Sequence, residues 1–138
     1  MSQENVKVVR SLYAAWNAGE MDAVRDACDP EIIMRTPEGW PEPGPYFGRD
    51  AAVRALEQLR ETFDSDWQEL ISDLVHVGDR VAVRTVWHGV GRGPEMRQES
   101  TPVLTVRRGR IFYVEFFSDH REALETLCLS EQDAHADS

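Results

Sequence analysis

Arginine and histidine occur together in one β-rich segment. The segment from Val81 to His88 predicts a strand, whose side chains point alternately to opposite sides, and this alternation places Arg84 and His88 on one side. Histidine exchanges protons near neutral pH, and arginine can hold an oxyanion that forms when a proton leaves carbon. The pair could therefore catalyse proton transfer. Alternatively, Arg84 bonds Glu99 or Glu115 on a neighbouring strand, and His88 lies at a solvated strand end.

Asp119 follows the last β-rich segment, and its carboxylate is a group that can act as an acid or a base. A carboxylate inside a cavity would suit a hydrolase or a dehydratase. Alternatively, Ser118 or Asp119 could cap the helix that the sequence predicts next.

Two further β-rich segments predict a wall for a binding pocket. A hairpin at Arg107-Arg108-Gly109, with the glycine in a bulge, would bring one side of each strand onto a common face. This face is mostly apolar with a few hydrogen-bonding tips, which suits a flat ligand with carbonyls or hydroxyls, although it would also suit a plain core. Its residues are Gln98, Ser100, Pro102 and Leu104 with Phe112, Val114, Phe116 and Ser118.

Other aromatic side chains are candidates for contacting the same ligand. Residues 37–48 hold four prolines and three glycines, so they predict a stiff loop. Its three aromatic residues could cover the mouth of a pocket as a lid, or could attach the loop to the domain. Aromatic residues of the helices and strands are consistent with either a core or a cavity. Beyond the strand pair above, the predicted ligand-binding residues are Tyr13, Trp16, Met34, Trp40, Tyr46, Phe47, Phe63 and Trp67.

Helices followed by strands must position these residues. Apolar residues at helical spacing and closely spaced turns between β-rich segments predict an α+β fold. In this fold, a strongly curved antiparallel sheet, three N-terminal helices and a short C-terminal helix are expected to enclose a pocket. The domain is predicted to span 1–130, with a frayed polar tail at 131–138. The predicted helices cover 2–18, 21–28, 50–63 and 121–129, and the predicted strands cover 32–34, 67–77, 80–90, 95–107 and 110–118.

Composition argues against several kinds of partner. The formal charge of −10 disfavours nucleic acid and acidic membrane surfaces, and no apolar run approaches the roughly 20 residues of a membrane span. The first residues lack the pattern of a secretion signal, so a cytoplasmic protein is expected. Cys28 and Cys128 lie in apolar helical patterns and are expected to be reduced structural thiols. The histidines lack metal-ligand spacing and no glycine loop leads into a helix, so neither a metal nor a cofactor is expected.

An ordered set of motifs resembles a known family. The motifs are AAWNAGEMDAV, RTPEGW, FGRDAAVRAL, GDRVAV, RRGRI and DHREALETLCL. Together they resemble the nuclear transport factor two-like superfamily, within its SnoaL-like branch, over about residues 3–129. The resemblance implies a cone-shaped, half-open barrel (a half-barrel) around an apolar pocket, commonly in a homodimer packed through the sheet. Because members include polyketide cyclases, isomerases, epoxide hydrolases and dehydratases, it implies the fold more than the reaction.

The resemblance also bears on the catalytic candidates. Matching the Thr-Val pair of the 80–90 strand to the ketosteroid isomerases puts the Arg84 and His88 side on the pocket, and some relatives use an aspartate near the position of Asp119. The three catalytic groups of the isomerases are absent, because their positions fall on Leu12, on Thr36 and near Pro102. Ketosteroid isomerase activity is therefore not expected.

Three functions are consistent with these residues. The first is a cofactor-free isomerase, cyclase or lyase for a small, largely apolar carbonyl compound, with His88 as acid or base and Arg84 as oxyanion holder. The second is a non-catalytic module that binds a ligand or a partner with the same fold. The third is a hydrolase or dehydratase that uses Asp119 as its pocket carboxylate.

Overall fold

Helices precede and follow a strongly bent sheet. The structure is a computed structural model that describes residues 2–36 and 44–127. The predicted α+β class is confirmed, and no helix in the described ranges has both the length and the hydrophobicity to cross a bilayer. The elements are α1 (Ser2–Ala18), α2 (Met21–Ala27), β1 (Cys28–Arg35), β2 (Tyr46–Phe47), α3 (Arg49–Glu61), β3 (Ser65–Leu70), β4 (Val75–Val77), β5 (Arg80–Ala82), β6 (Thr85–Val90), β7 (Met96–Arg107), β8 (Arg110–Phe117) and α4 (120–127).

The first helix forms where apolar residues recur at helical spacing. Val9 and Trp16 are buried, and Leu12 and Tyr13 are partly buried and pack against the core. The helix ends before Gly19, whose φ of 76° is a left-handed conformation that glycine adopts without strain. The prediction for this helix is confirmed.

The chain changes from helix to strand earlier than its sequence pattern predicts. The second helix ends at Ala27 and β1 begins at Cys28, so this thiol lies in a strand rather than in a helix. Pro30 lies inside β1, where the pairing with β8 is irregular between Cys28 and Ile33. Proline is tolerated at such an irregularity because it has no N–H to donate to the ladder. The other cysteine, Cys128, and the predicted tail 131–138 lie outside the described residues.

The sheet is mixed rather than antiparallel throughout. Strand β1 pairs in parallel with β8, with Met34 opposite Val114, whereas the hairpins from β3 onward are antiparallel. The strand order is β2-β1-β8-β7-β5-β4, and β6 pairs with β7 and β3. Short turns correctly predict antiparallel hairpins, but they carry no information about β1, which pairs with a strand distant in sequence.

Two strands that the sequence predicts as continuous are each divided in two. The predicted strand 80–90 divides into β5 and β6 at Val83 and Arg84, and the predicted strand 67–77 divides into β3 and β4. The long strand β7 spans both halves, pairing with β6 through its N-terminal part and with β5 through its C-terminal part. Because β5 and β6 have different second partners, the sheet bends over here into an open half-barrel.

The two faces of the sheet are covered by different helices. The inner face packs against the N-terminal helices through Val81, Val83 and Leu104. Ala82 and Val103 alternate with these residues, so they lie on the outer face, where α4 packs on them. The sequence predicts that the closing helix helps to enclose the pocket, but in the structure this helix covers the outer face.

Candidate functional site

A cavity of about 100 Å³ lies between the N-terminal helices and the inner face of the sheet. Helix α1 contributes Leu12, Tyr13 and Trp16, the apolar stripe that also buries the helix. A larger hollow of about 460 Å³ lies on the outer face, but charged residues including Arg80 and Glu115 line it. Ligand sites are typically concave and mostly apolar. The inner cavity is therefore the candidate site.

Strands β7 and β8 form the opposite wall of the cavity through side chains that alternate inward. Gln98, Ser100 and Leu104 from β7 face Val114 and Phe116 from β8. The alternation predicted for these two strands therefore holds over most of their length. Gln98 is exposed, whereas Leu104 is fully buried, so the mouth of the cavity lies toward the start of β7.

A few polar atoms interrupt this apolar lining. Within the described residues, neither the Tyr13 hydroxyl nor the Gln98 amide has a hydrogen-bond partner. The hydroxyls of Thr85 and Ser100 lie 3.4 Å apart across paired strands, so each keeps capacity for another hydrogen bond. These atoms can orient a ligand that offers carbonyl or hydroxyl groups.

Burial keeps the two titratable groups of the cavity wall protonated. It raises the pKa of the Tyr13 hydroxyl far above its ordinary value, because the charged form would lose its hydration. It raises the pKa of the Cys28 thiol from 9.0 to about 11, against the opposing charges of Arg49 and Arg25. At neutral pH both groups are therefore neutral and act through hydrogen bonds and packing.

A buried carboxylate holds the two tryptophans of the wall. One oxygen of Asp66, Oδ2, accepts hydrogen bonds from the indole nitrogens of Trp16 and Trp87, each at 2.8 Å. The other oxygen, Oδ1, lies 3.0 Å from Nε of Arg60, and the Arg60 guanidinium lies 4.7 Å from the centre of the Trp16 ring. Asp66 is not itself among the residues that line the cavity.

The family of the chain follows from its sequence together with this architecture. A family model described as a SnoaL-like domain matches residues 9–114. The chain belongs to the SnoaL-like domain family. The resemblance to nuclear transport factor two-like proteins is thereby confirmed. No curated protein sequence matches this SnoaL-like chain.

Solved structures share the fold of this SnoaL-like domain. Bal32a, from a soil-derived mobile gene cassette, has a TM-score of 0.77 and 20% identity over 83% of this chain and 88% of its own. TerC, co-crystallised with polyporic acid, has a TM-score of 0.74 and 19% identity over 90% and 97%. IdmH from Streptomyces antibioticus, a proposed polyketide cyclase, has a TM-score of 0.72 and 20% identity over 94% and 98%. At identities this low, the structural similarity shows a common fold and not a common function.

Arg84 and His88 lie on the outer face of this SnoaL-like domain. The Arg84 guanidinium pairs with Glu99, which is one of the two partners that the alternative reading proposed. The Nε2–H of His88 donates a hydrogen bond to Glu69 at 2.9 Å, and its ring stacks on Trp67 with ring centres 4.0 Å apart. The predicted alternation of this strand is right, but its predicted orientation is wrong. The valines at 81 and 83 enter the core, which turns the side chains between and after them outward.

Asp119 caps the closing helix. Its Oδ1 accepts hydrogen bonds from the backbone N–H groups of Arg121 at 2.9 Å and Glu122 at 3.4 Å. These are the bonds expected of a residue that precedes a helix. Asp119 does not line the cavity, so it is not the pocket carboxylate that a hydrolase or dehydratase would need.

The predicted ligand-binding residues divide into two groups. Seven line the cavity, namely Tyr13, Trp16, Met34, Gln98, Ser100, Val114 and Phe116. Among those that do not, Phe63 packs edge-on against Trp87, Trp67 stacks on the outer face, and Phe47 is 66% exposed. Tyr46 packs against the core without lining the cavity, and Trp40 lies outside the described residues.

Phe112 departs from its prediction because of a β-bulge. The pairing of β7 with β8 shifts between Thr105 and Val106, so Ile111 points into the cavity and Phe112 turns to the outer face. There the Arg107 guanidinium lies 4.5 Å from the centre of the Phe112 ring. The sequence places the bulge at the hairpin glycine, three residues before Phe112, the extra residue of the observed bulge.

Sequence reasoning missed several residues of the lining. Thr85 and Trp87 line the cavity because the orientation of β6 is opposite to the predicted one. Leu56 of α3 and Cys28 of β1 also line it, and helical spacing and apolar character mark such residues as core without separating core from cavity. No group of three His, Cys, Asp or Glu side chains suited to a metal occurs in the described part of the chain.

Proposed function

We propose that this SnoaL-like domain binds a small, neutral, largely apolar organic molecule with a carbonyl or hydroxyl group. The observation that carries the proposal is an apolar cavity whose free polar tips, the Tyr13 hydroxyl and the Gln98 amide, lack partners in the described residues. An oxygen atom of the ligand could accept a hydrogen bond from either of these groups. IdmH, a proposed polyketide cyclase, favours a polyketide-like ligand, and the crystallisation of TerC with polyporic acid favours a small organic molecule.

The charge and size of the cavity narrow the ligand further. No side chain that lines it within the described residues carries a charge at neutral pH. A charged ligand would lose its hydration there without a compensating partner, so a neutral ligand is favoured. The volume of about 100 Å³ is on the scale of one aromatic ring, because an engineered cavity of about 150 Å³ takes benzene. A larger ligand would extend past Gln98 at the mouth.

The cavity favours binding over side-chain acid–base catalysis. Among described residues, the lining contains neither a carboxylate nor an imidazole, and Tyr13 and Cys28 stay protonated. The second candidate function is cyclisation, which the name given to IdmH favours. On this geometry a cyclase would act by folding its substrate against the apolar wall and by donating a hydrogen bond from Tyr13 to a carbonyl.

Titration with 4-hydroxyacetophenone, a flat ring with both oxygen groups, tests the proposal by NMR or calorimetry. Tyr13→Phe should weaken binding about five-fold, the equivalent of one hydrogen bond of ~1 kcal/mol. Tyr113→Phe makes the same change on the outer face, where this hydroxyl bonds Glu115, and should leave binding unchanged. Ser100→Phe should abolish binding because its ring enters the cavity. Binding that survives Ser100→Phe would refute the proposed site.

We also propose that two copies of the domain associate through the outer face of the sheet. The family resemblance motivates this pairing, and Phe112 and Tyr113 offer partly buried aromatic surface beside the outer hollow. Light scattering after gel filtration should give twice the chain mass, and Phe112→Asp should shift it toward the monomer. A monomer at every concentration would contradict this pairing.

A cytoplasmic location stays a prediction.

A further inference from the structure

Asp66 is a buried carboxylate at the point where four elements meet. It is the second residue of β3, and it bonds Trp16 of α1, Trp87 of β6 and Arg60 of α3. Its side chain is 2% exposed, and each of its oxygens is engaged. A carboxylate this deeply buried is stable only when hydrogen bonds and an opposite charge replace its hydration, and this site supplies all of these.

We propose that Asp66 is a positioning residue that fixes the orientation of both tryptophan walls and thereby gives the cavity its preference for flat rings. The inference deepens the proposed ligand-binding function and rests on it. Asp66 does not touch the cavity, so it acts on the ligand only through Trp16 and Trp87.

The geometry of the two indoles supports this positioning role. Their rings lie 6.5 Å apart at an interplanar angle of 77°, which makes a right-angled corner of the wall. Both N–H groups point at one oxygen atom, so neither ring can rotate without losing its bond. An indole N–H that is buried without an acceptor loses the hydrogen bond that water would give it, so the shared acceptor holds both rings in place.

Two further contacts restrict the same corner. The Arg60 guanidinium covers one side of Trp16, and Phe63 packs edge-on against Trp87 with ring centres 5.5 Å apart. Neither contact substitutes for Asp66, because neither accepts a hydrogen bond from an indole nitrogen. Removing the carboxylate therefore leaves two unpaired N–H groups and one unpaired arginine.

The experiment compares Asp66→Leu, which removes both acceptor oxygens, with Asp66→Asn, which keeps one. Asp64→Asn is the matched control, because Asp64 is exposed two residues earlier in the chain. The first measurement uses no ligand: the indole N–H resonances of Trp16 and Trp87 in a ¹⁵N-labelled sample, assigned with Trp16→Phe and Trp87→Phe. The second is the ratio of affinities for acetophenone and for cyclohexyl methyl ketone, which differ in ring planarity.

The wild type should show two slowly exchanging indole resonances and should prefer acetophenone. In Asp66→Leu both resonances should shift and exchange faster, and the preference for acetophenone should fall about five-fold or more. Asp66→Asn should give intermediate resonance shifts and an intermediate affinity ratio, and Asp64→Asn should match the wild type in both. If Asp66→Leu does not fold, Asp66→Asn decides, and an unchanged ratio together with unchanged resonances in that variant overturns the proposal.

Failure of the two proposals is distinguishable. If the wild type binds neither ketone, the proposed function fails, and the inference about selectivity fails with it even if the indole resonances respond to Asp66→Leu. If the wild type binds and the resonances shift in Asp66→Leu while the affinity ratio stays constant, only the role of Asp66 in selectivity is refuted. Resonances that do not respond to Asp66→Leu refute its role in positioning.

Discussion

Tyr13 and Cys28 face the same cavity from a helix and a strand, and burial affects their protons in the same direction. A phenolate or thiolate in this wall would lose most of its hydration. Both residues therefore contribute a neutral polar atom, and within residues 2–36 and 44–127 only Tyr13 presents it without a protein partner, because the Cys28 thiol donates to the Val24 carbonyl at 3.4 Å. This contrast makes Tyr13 the residue that a ligand oxygen meets.

The raised pKa of Cys28 predicts a loss of stability in alkali. The thiol titrates near 9.0 when unfolded and at about 11 when folded, so above pH 9 the unfolded chain releases a proton that the folded chain keeps. The free energy of unfolding should fall as pH rises through this window, by about 2–3 kcal/mol from this group. Urea unfolding at several pH values between 8 and 11 measures this fall in the free energy of unfolding.

Cys28→Ala provides the control for that measurement. It removes the thiol from both states, so the variant should lose less stability than the wild type between pH 9 and 11. The tyrosines titrate in both proteins, and their contribution cancels in the comparison. Identical pH profiles for the two proteins would show that the thiol is not protected from ionisation.

At the scale of elements, β6 and the end of α3 are fitted to each other through a glycine. A Cβ at Gly89 would lie 2.6 Å from the ring of Phe63, closer than any side chain allows. Phe63 in turn packs against Trp87, two residues before the glycine on the same strand. Gly89 therefore lets the helix end approach the strand and complete the tryptophan corner.

Gly89→Ala should displace Phe63 and destabilise the domain by roughly 1–3 kcal/mol, the usual cost of overpacking a well-fitted site. It should also alter the near-ultraviolet circular dichroism of Trp87. Gly93→Ala is a matched control, because a Cβ there meets nothing within 4 Å and should change stability by about 0.5 kcal/mol or less. Equal unfolding midpoints in urea for both variants would contradict the close fit at Gly89.

The strand that carries Arg84 and His88 shows how far a sequence determines such an element. Its alternation is readable, because β-branched residues stand at every second position in Val81, Val83 and Thr85. Its orientation is not, because Val81 and Val83 on one side and Ala82 and Val86 on the other are all buried. Apolar residues on both sides leave no local signal for which side meets the cavity. The bulge that turns Phe112 outward depends on pairing between strands and is equally hidden.

The helices were easier to predict, because each buries one stripe and exposes the rest. The stripe of α1 correctly places Tyr13 and Trp16 on the inner face. The boundary between α2 and β1 and the position of α4 depend on tertiary packing, and there the sequence pattern fails. Asp66 has no sequence signal at all, since its importance comes from two indoles distant along the chain.

At the scale of the whole molecule, a formal charge of −10 surrounds a cavity with a neutral lining. The charges therefore act on solubility and on the approach of other molecules rather than on a bound neutral ligand. Screening by salt weakens interactions between charges and has little effect on burial of an apolar ring. Affinity for a neutral ketone should thus be nearly independent of ionic strength, which separates binding in the cavity from binding to the charged surface.

A ligand held in this cavity must also stabilise the folded domain, since the cavity exists only when helices and sheet are assembled. At a free 4-hydroxyacetophenone concentration ten times its Kd, linkage gives about 1.4 kcal/mol, or a rise in Tm of roughly 5 °C for a domain of this size. Calorimetry at 50 and 500 mM salt should give the same rise in Tm. The Ser100→Phe variant should show no ligand-induced rise in Tm, because its cavity is filled. A rise that persists in this variant would place the ligand elsewhere on the molecule.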